Sequence, residues 1–301
     1  MILFINPFNL SLIKGFFGWE RYRRLDCGIL ANYRYISRGG IEMAENNLSP
    51  ASIISNLRTH FIGQRVIYYP SLTSTMEVAK QEAQQGAVEG TVIIAGEQTV
   101  GRGRIKRAWL SPKGNIALSL VLYPSVVNLP SLIMLASLAV VHSIEAVTGL
   151  RSQVKWPNDV LVNGRKVCGI LIESSVRGNI ADYAIIGIGV NVNLRLSDFP
   201  EILSTATSLS DELGRDVSRL SVIRRLLVEV EKLYLALQAG GSIYEEWRDS
   251  LVTLGRRVRV KSGKTVYEGV AESVARDGSL LLRRLDGSLS KIVAGDATLR
   301  D

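Results

Sequence analysis

Lys155-Trp156-Pro157-Asn158-Asp159-Val160-Leu161-Val162-Asn163-Gly164-Arg165-Lys166-Val167-Cys168-Gly169-Ile170-Leu171-Ile172-Glu173 sets a proline-fixed turn and an Asn-Gly pair between short apolar runs. Proline locks its own φ and pushes the preceding residue out of the helical region, so Lys155 ends a strand and the chain turns after it. Asn163-Gly164 tolerates the two positive φ angles of a two-residue hairpin and is flanked by apolar runs. The stretch reads as strands joined by tight turns. After a further turn at Arg177-Gly178-Asn179, residues 180–193 (IADYAIIGIGVNVN) continue as a buried strand. Its Gly187 and Gly189 suit a bulge or a close backbone approach. Asn191 and Asn193 at its end are residues that apolar packing would not select.

Towards the N-terminus, residues 91–98 (TVIIAGEQ) and 115–124 (NIALSLVLYP) are buried strand candidates, and VIYY at 66–69 is another. Residues 49–63 read as a short amphipathic helix with Ile53, Leu57 and Phe61 on one face. Ser74 followed by Glu77 fits a capping box for a helix ending near Gly86. Residues 131–149 are apolar almost all round, which predicts a core helix in which His142 is a packed or boundary residue. Helical patterns return between Asp211 and Gly240 and again over 242–251. Beyond Thr253 the character changes to short strands punctuated by Ser262-Gly263, Asp277-Gly278 and Asp286-Gly287, the pattern of a small β-barrel or sandwich. The fold class is therefore α+β: a central mixed sheet with flanking helices over 49–252, a small β module over 253–301, and an N-terminal extension over 1–48 expected to be poorly ordered.

Composition narrows the function classes. The chain has 301 residues, 36 Lys and Arg against 28 Asp and Glu, and a formal net charge of +8, which makes anionic partners plausible. With two cysteines, Cys27 and Cys168, and two histidines, no zinc-type constellation can be assembled, and no disulfide framework is expected. Cys168 sits in the apolar run KVCGILIE and reads as a small core residue. No run of about 18 apolar residues is evident, so no spanning helix is expected. The first 26 residues are apolar and then basic, the reverse of a secretory signal. Met43 reads as a natural start. These features point to the cytoplasm.

Between the strands at 91–98 and 115–124 lies Gly101-Arg102-Gly103-Arg104-Ile105-Lys106-Arg107-Ala108-Trp109. Guanidinium forks match carboxylate and phosphate oxygens, and glycines 101 and 103 admit close backbone approach. A mobile loop closing over an anionic ligand follows; a solvated basic loop is the plain alternative. The helix start at Ser74 also offers hydroxyls and free amides.

In order along the chain, Ser74-Thr75, EQTVGRGRIKRAW (97–109), KWPNDVLVNGRKVCGILIE (155–173), IGIGVNVN (187–193 with the preceding Ile) and a terminal ATLR (297–300) resemble the biotin protein ligases, over roughly residues 50 to 301. The resemblance implies a class II synthetase-like catalytic fold and an SH3-like C-terminal β-barrel. It implies ATP-dependent attachment of biotin, through biotinyl-5′-adenylate, to a lysine of the biotin carboxyl carrier domain of a carboxylase, with Mg²⁺ on the triphosphate. Carried over by position, Lys155 and Arg104 act at the reacting centre and Lys155 reaches oxygens of both substrates. Ser74, Thr75, Gln98, Arg102, Gly103 and Arg104 bind biotin, Trp109 anchors the pocket, and Asn191 and Arg300 contact nucleotide. No dedicated protein metal site is expected, nor specific DNA or membrane binding, and monomer and homodimer both stay open. Two positions depart from the family: Met76 stands where Asn is usual, and Ile105-Lys106 where many members have Gly. About 48 residues precede the catalytic body, without the helix pair of a DNA-binding domain. The rival readings are a lipoate or octanoate ligase or transferase of the same superfamily and, from another class, a basic nucleic-acid-binding regulator.

Overall fold

The computed structural model describes residues 48–300, so the expectation for the N-terminal extension falls almost wholly outside the described residues. Helix α1 (Pro50–Ile54) starts with a reciprocal Ser49/Ser52 capping box. It is much shorter than the helix expected over 49–63, because Asn56 takes φ 62° and the chain then folds into turns. Strand β1 (Val66–Tyr69), helix α2 (Thr75–Gln84) and strands β2 (Val92–Ala95) and β3 (Ile116–Leu122) follow. Ser74 is the N-cap of α2, but its side chain makes no capping bond. The expected capping box is absent, and the Glu77 carboxylate pairs with Arg102 of the basic loop.

Helix α3 (Leu132–Thr148) ends at Gly149, left-handed at φ 74°. Then come β4 (Ser152–Lys155), β5 (Asp159–Val162), β6 (Arg165–Arg177) and β7 (Ile180–Val190). Asn163 and Gly164 carry φ of 49° and 76°, the two positive angles the hairpin requires. Helix α4 (Leu209–Leu213) stops at left-handed Gly214, and α5 (Arg219–Gln238) and α6 (Tyr244–Asp249) complete the helices. The second sheet is built from β8 (Arg257–Ser262), β9 (Thr265–Val274), β10 (Leu280–Arg284), β11 (Leu289–Ile292) and β12 (Asp296–Arg300).

The first sheet runs β1-β2-β3-β7-β6-β5-β4, with β1 and β2 parallel and every other pair antiparallel; the second runs β11-β10-β9-β8-β12 and is antiparallel throughout. Period-two alternation divides the first sheet's side chains between two faces. Ile94, Leu118, Leu120, Ile186 and Ile188 pack with α3 and α5 in the main core. Ile93, Val121 and Ile185 face the other way and meet Met76, Ala79 and Ala83 of α2. Eleven residues of α3 are buried. At roughly 1.5–3 kcal/mol for each large apolar side chain, this helix is a main source of core stability. The stretch Val126–Thr148 is long and apolar enough to cross a membrane by length and composition alone, and 61% of its apolar window is buried inside the protein, as a core helix requires.

Candidate active site

The face of the first sheet that α2 only partly covers carries a hollow. Ala117 lies opposite Gly189, Ser119 opposite Gly187, and across the next ladder Gly169 opposite Gly189. Five neighbouring positions thus present a hydroxymethyl, a methyl or no side chain. Trp109 occupies part of the space. A Cβ added at Gly189 would lie 2.3 Å from its Nε1, and one at Gly169 3.0 Å from its ring. Met76 fills the other end, its sulfur 2.5 Å from where a Cβ on Gly187 would be. These glycines are needed for close approach of ring and thioether, the close-approach option of the sequence reading. The remaining cavity is about 120 Å³, lined by Ser74, Thr75, Gln98, Arg102, Gly103 and Arg104 together with Trp109, Asn158, Asp159 and Lys166.

One wall is set by a hydrogen-bond relay. Ser119 Oγ donates to Thr75 Oγ1 (2.8 Å), which donates to Gln98 Oε1 (3.1 Å), and Thr75 N–H donates to the same oxygen at 2.8 Å. With its oxygen doubly engaged, Gln98 presents the amide nitrogen as its remaining donor end. Ser74 and Thr75 are each 3% exposed. Together these groups make a buried polar patch at the start of α2, which suits a small polar head group.

The basic loop folds back on itself. Trp109 N–H donates to Gly101 O, Gly103 N–H to Arg107 O, and Arg102 bridges Ala108. Its tip, Arg104–Lys106, holds Ile105 at φ 53°, a left-handed conformation that a β-branched residue rarely adopts. Each arginine has its own tether. Arg102 pairs with Glu77, Arg104 Nη1 donates to Asn158 Oδ1 (3.1 Å), and Arg107 pairs with Asp296 at the start of β12. Burial pushes the Arg104 guanidinium below its usual range, opposed by the nearby carboxylates of Asp296 and Asp159.

A second cavity of about 540 Å³ shares Arg107, Trp109, Asp159, Lys166 and Asp296 with the first. At the junction Lys166 Nζ lies 2.6 Å from Asp159 Oδ1 and 5.2 Å from the centre of the Trp109 ring. Lys155, expected to reach both substrates, lines the wider cavity alone, 3.8 Å from Asp159 Oδ2. The reason is geometric: Lys155 ends β4, at the outer edge of the sheet, whereas Lys166 lies two strands inward on β6, the strand that also carries Gly169 of the glycine floor. Asn191 lines the wider cavity, yet its side-chain amide donates to Thr207 O at 3.0 Å. Arg300 lines neither cavity; it stands exposed on β12, in register with Arg257. Cys168 is fully buried and its thiol pushed far above its usual range, which leaves it no nucleophilic role.

Sequence reasoning missed Lys166, Asn158, Asp159 and Asp296. A lysine heading the apolar run VCGILI was a signal for Lys166. For Asp296 no local signal exists, because its neighbours in space come from the loop at 101–109.

With this geometry in view, the comparisons with known proteins are specific. Residues 68–191 match the Biotin/lipoate A/B protein ligase family and residues 253–300 the Biotin protein ligase C terminal domain. The chain is 38% identical over 273 residues to the Bifunctional ligase/repressor BirA of Bacillus spizizenii, covering 89% of this chain and 82% of that one. This chain belongs to the biotin protein ligase family. Another relative is the Biotin--[acetyl-CoA-carboxylase] ligase of Paracoccus denitrificans, 34% identical, with 64% of this chain and 83% of that one covered. Among solved structures, the biotin protein ligase from Aquifex aeolicus in complex with biotin and ATP superposes with a TM-score of 0.67 at 29% identity, over 79% of this chain and 99% of that one. As a biotin protein ligase the chain is an enzyme, and its two joined cavities are the place to look for the chemistry.

Proposed function

We propose that this ligase joins biotin to ATP as biotinyl-5′-adenylate and then transfers the biotinyl group to a lysine of the carrier domain of a biotin-dependent carboxylase. The observation that carries the reading is the junction: a small cavity with a polar patch and a wider one meet at Lys166, Arg107 and Asp159. Biotin's head group takes the Ser74, Thr75 and Gln98 end, its chain runs over the glycine floor beside Trp109, and its carboxylate reaches the junction. The nucleotide takes the wider cavity and brings its α-phosphate to the same place.

The carboxylate oxygen attacks the α-phosphorus, the bond to the bridging oxygen breaks, and pyrophosphate leaves. Two anions must be held in contact, so preorganised cations carry the catalysis. Lys166 and Arg104 supply them, Arg107 extends the field towards the wider cavity, and Arg102 and Gly103 close the loop over biotin. In the second step the acceptor lysine's neutral amine attacks the acyl carbon and AMP departs. The loop keeps water from the mixed anhydride in between. Mg²⁺, implied by the resemblance, meets no group of three or more His, Cys, Asp and Glu side chains among the described residues. No step is assigned to the ion. A reducing cytoplasm suits Cys168, a buried free thiol.

Labelled biotin or lipoate, each supplied with ATP and an acceptor carrier domain, tests the reading. Biotin should be incorporated with release of pyrophosphate. Transfer of lipoate alone would sink it in favour of a lipoate ligase, and a salt-dependent DNA shift without transfer would favour a nucleic-acid regulator.

A further inference from the structure

Trp156 stands between Lys155 and Asn158, which line the cavities, yet it lines neither and is 1% exposed. It points away from the site, into the seam between the two sheets. Its backbone N–H donates to Thr253 Oγ1 at 2.9 Å, and its indole N–H donates to Gly278 O at 2.8 Å. Thr253 is 0% exposed. Gly278 sits in the Asp277-Gly278 turn between β9 and β10 at φ 82°, where a Cβ would come within 3.3 Å of Met134 of α3. The strand before Trp156 is fixed to the same region, since Val154 exchanges backbone bonds with Ser250 and Val252.

The second sheet that this tryptophan grips delivers one acidic side chain to the reaction junction. Asp296 opens β12, the edge strand, and lines both cavities. It is paired with Arg107 and lies close enough to Arg104 to act on its charge. In the ladder Asp296 lies opposite Lys261 of β8, and β8 pairs with β9, whose far end leads into the turn that Trp156 holds. The grip and the carboxylate thus belong to one hydrogen-bonded sheet.

We propose that Trp156 is a positioning residue for the reaction: its bond to Gly278 docks the second sheet so that Asp296 holds Arg107 and Arg104 of the basic loop in register with the phosphates. The Lys-Trp-Pro-Asn-Asp stretch then works on both sides of the sheet, with Asn158 and Asp159 at the site and Trp156 behind it. The β module is on this account a wall of the adenylation site and not an independent appendage.

This inference rests on the proposed adenylation, and the test separates the two. In the full chain, Trp156→Phe keeps an aromatic ring, though a smaller one, and deletes the donor, and Asp296→Asn deletes the charge. Each should raise KM for ATP, between about threefold and thirtyfold in kcat/KM, measured by pyrophosphate release with biotin and ATP. The double variant should be no worse than the poorer single one, because both act through one contact. Trp156→Phe should also lower Tm, whereas Asp296→Asn should not, so the shared kinetic loss cannot be a stability effect. Asp277→Ala, at an exposed turn position, loosens the turn that holds Gly278 and serves if Trp156→Phe does not fold; it too should show no further loss when combined with Asp296→Asn. Losses that multiply in the double variant, or Trp156→Phe kinetics equal to wild type in the folded protein, overturn the inference. Absence of pyrophosphate release from the wild-type chain overturns the proposed function instead.

Discussion

Lys155 and Lys166 reach the same Asp159 carboxylate from different strands, at 3.8 and 2.6 Å, and their environments assign them different work. Lys166 lines both cavities and its ammonium lies over the Trp109 ring, so under the proposed function its charge sits where phosphate and carboxylate oxygens meet. Lys166→Ala should slow single-turnover adenylate formation by about 10²–10³-fold, the usual cost of one preorganised donor. Lys155→Ala should cost less than Lys166→Ala, since Lys155 lines the wider cavity only. Equal losses in the two variants would return the leading role to Lys155. At the tip of the loop, Ile105 holds a left-handed backbone at φ 53° and is 65% exposed, so it has strain and no burial to offset it. Ile105→Asn should relieve roughly 1 kcal/mol, because Asn accepts this conformation more readily. Slower escape of biotinyl-adenylate, seen by trapping released intermediate, is the expected outcome. The two positive charges read from Arg102 and Arg104 were legible as an anion-binding loop. Their tethers to Glu77 and Asn158 were not, because those depend on which segments lie next to the loop in space.

Among the elements, strands and long helices followed the sequence pattern closely. The helical pattern expected between Asp211 and Gly240 forms as a long helix over Arg219–Gln238 preceded by the short Leu209–Leu213, and the Asn163-Gly164 hairpin has the angles its residues demand. The segment at 49–63 did not follow, because its turns are held by a distant residue. Glu231 of α5 accepts backbone N–H bonds from His60, Phe61 and Ile62 at 2.7–2.9 Å, and it is 5% exposed. A carboxylate offers an acceptor to all three, and an amide does not. Glu231→Gln should therefore lower stability by about 1–3 kcal/mol, read from urea unfolding, with little effect on the site. In the second sheet, the Lys291 ammonium at 2.7 Å, with the Ser279 N–H, pulls the Asp277 carboxyl down to about 2. A depressed carboxylate stabilises the fold above its unfolded value of 3.8, and that contribution is lost as pH falls from there through about 2. Both side chains are near half exposed, so solvent screening limits the contribution to less than about 1 kcal/mol. Asp277→Asn should flatten this part of the acid unfolding profile between pH 4 and 2 by that small amount, and an unchanged profile would remove Asp277 from the account.

For the molecule as a whole, the two cavities joined at one cationic junction predict coupled binding. Biotin or a non-hydrolysable nucleotide alone, at about a hundred times its dissociation constant, should each add about 2.7 kcal/mol to stability. A stable biotinyl-adenylate mimic should raise Tm further at equal concentration, because it fills both cavities and lets the loop close on a single ligand. A mimic no better than biotin would mean that the cavities act separately. The sequence by itself determined the α+β class, the hairpin, the core helix, the change of character at Thr253, and the basic character of the Gly-Arg loop. Each of these is a property of residues near one another in the chain: period, turn chemistry and local charge. Only the tertiary structure decided that small residues of three strands align into one hollow beneath Trp109, and that Lys166 lines both cavities where Lys155 lines the wider one. It also decided that Asp296 arrives there from the far end of the chain. Register and docking set those relations, and they depend on how strands pair across long sequence separations, which no local pattern records.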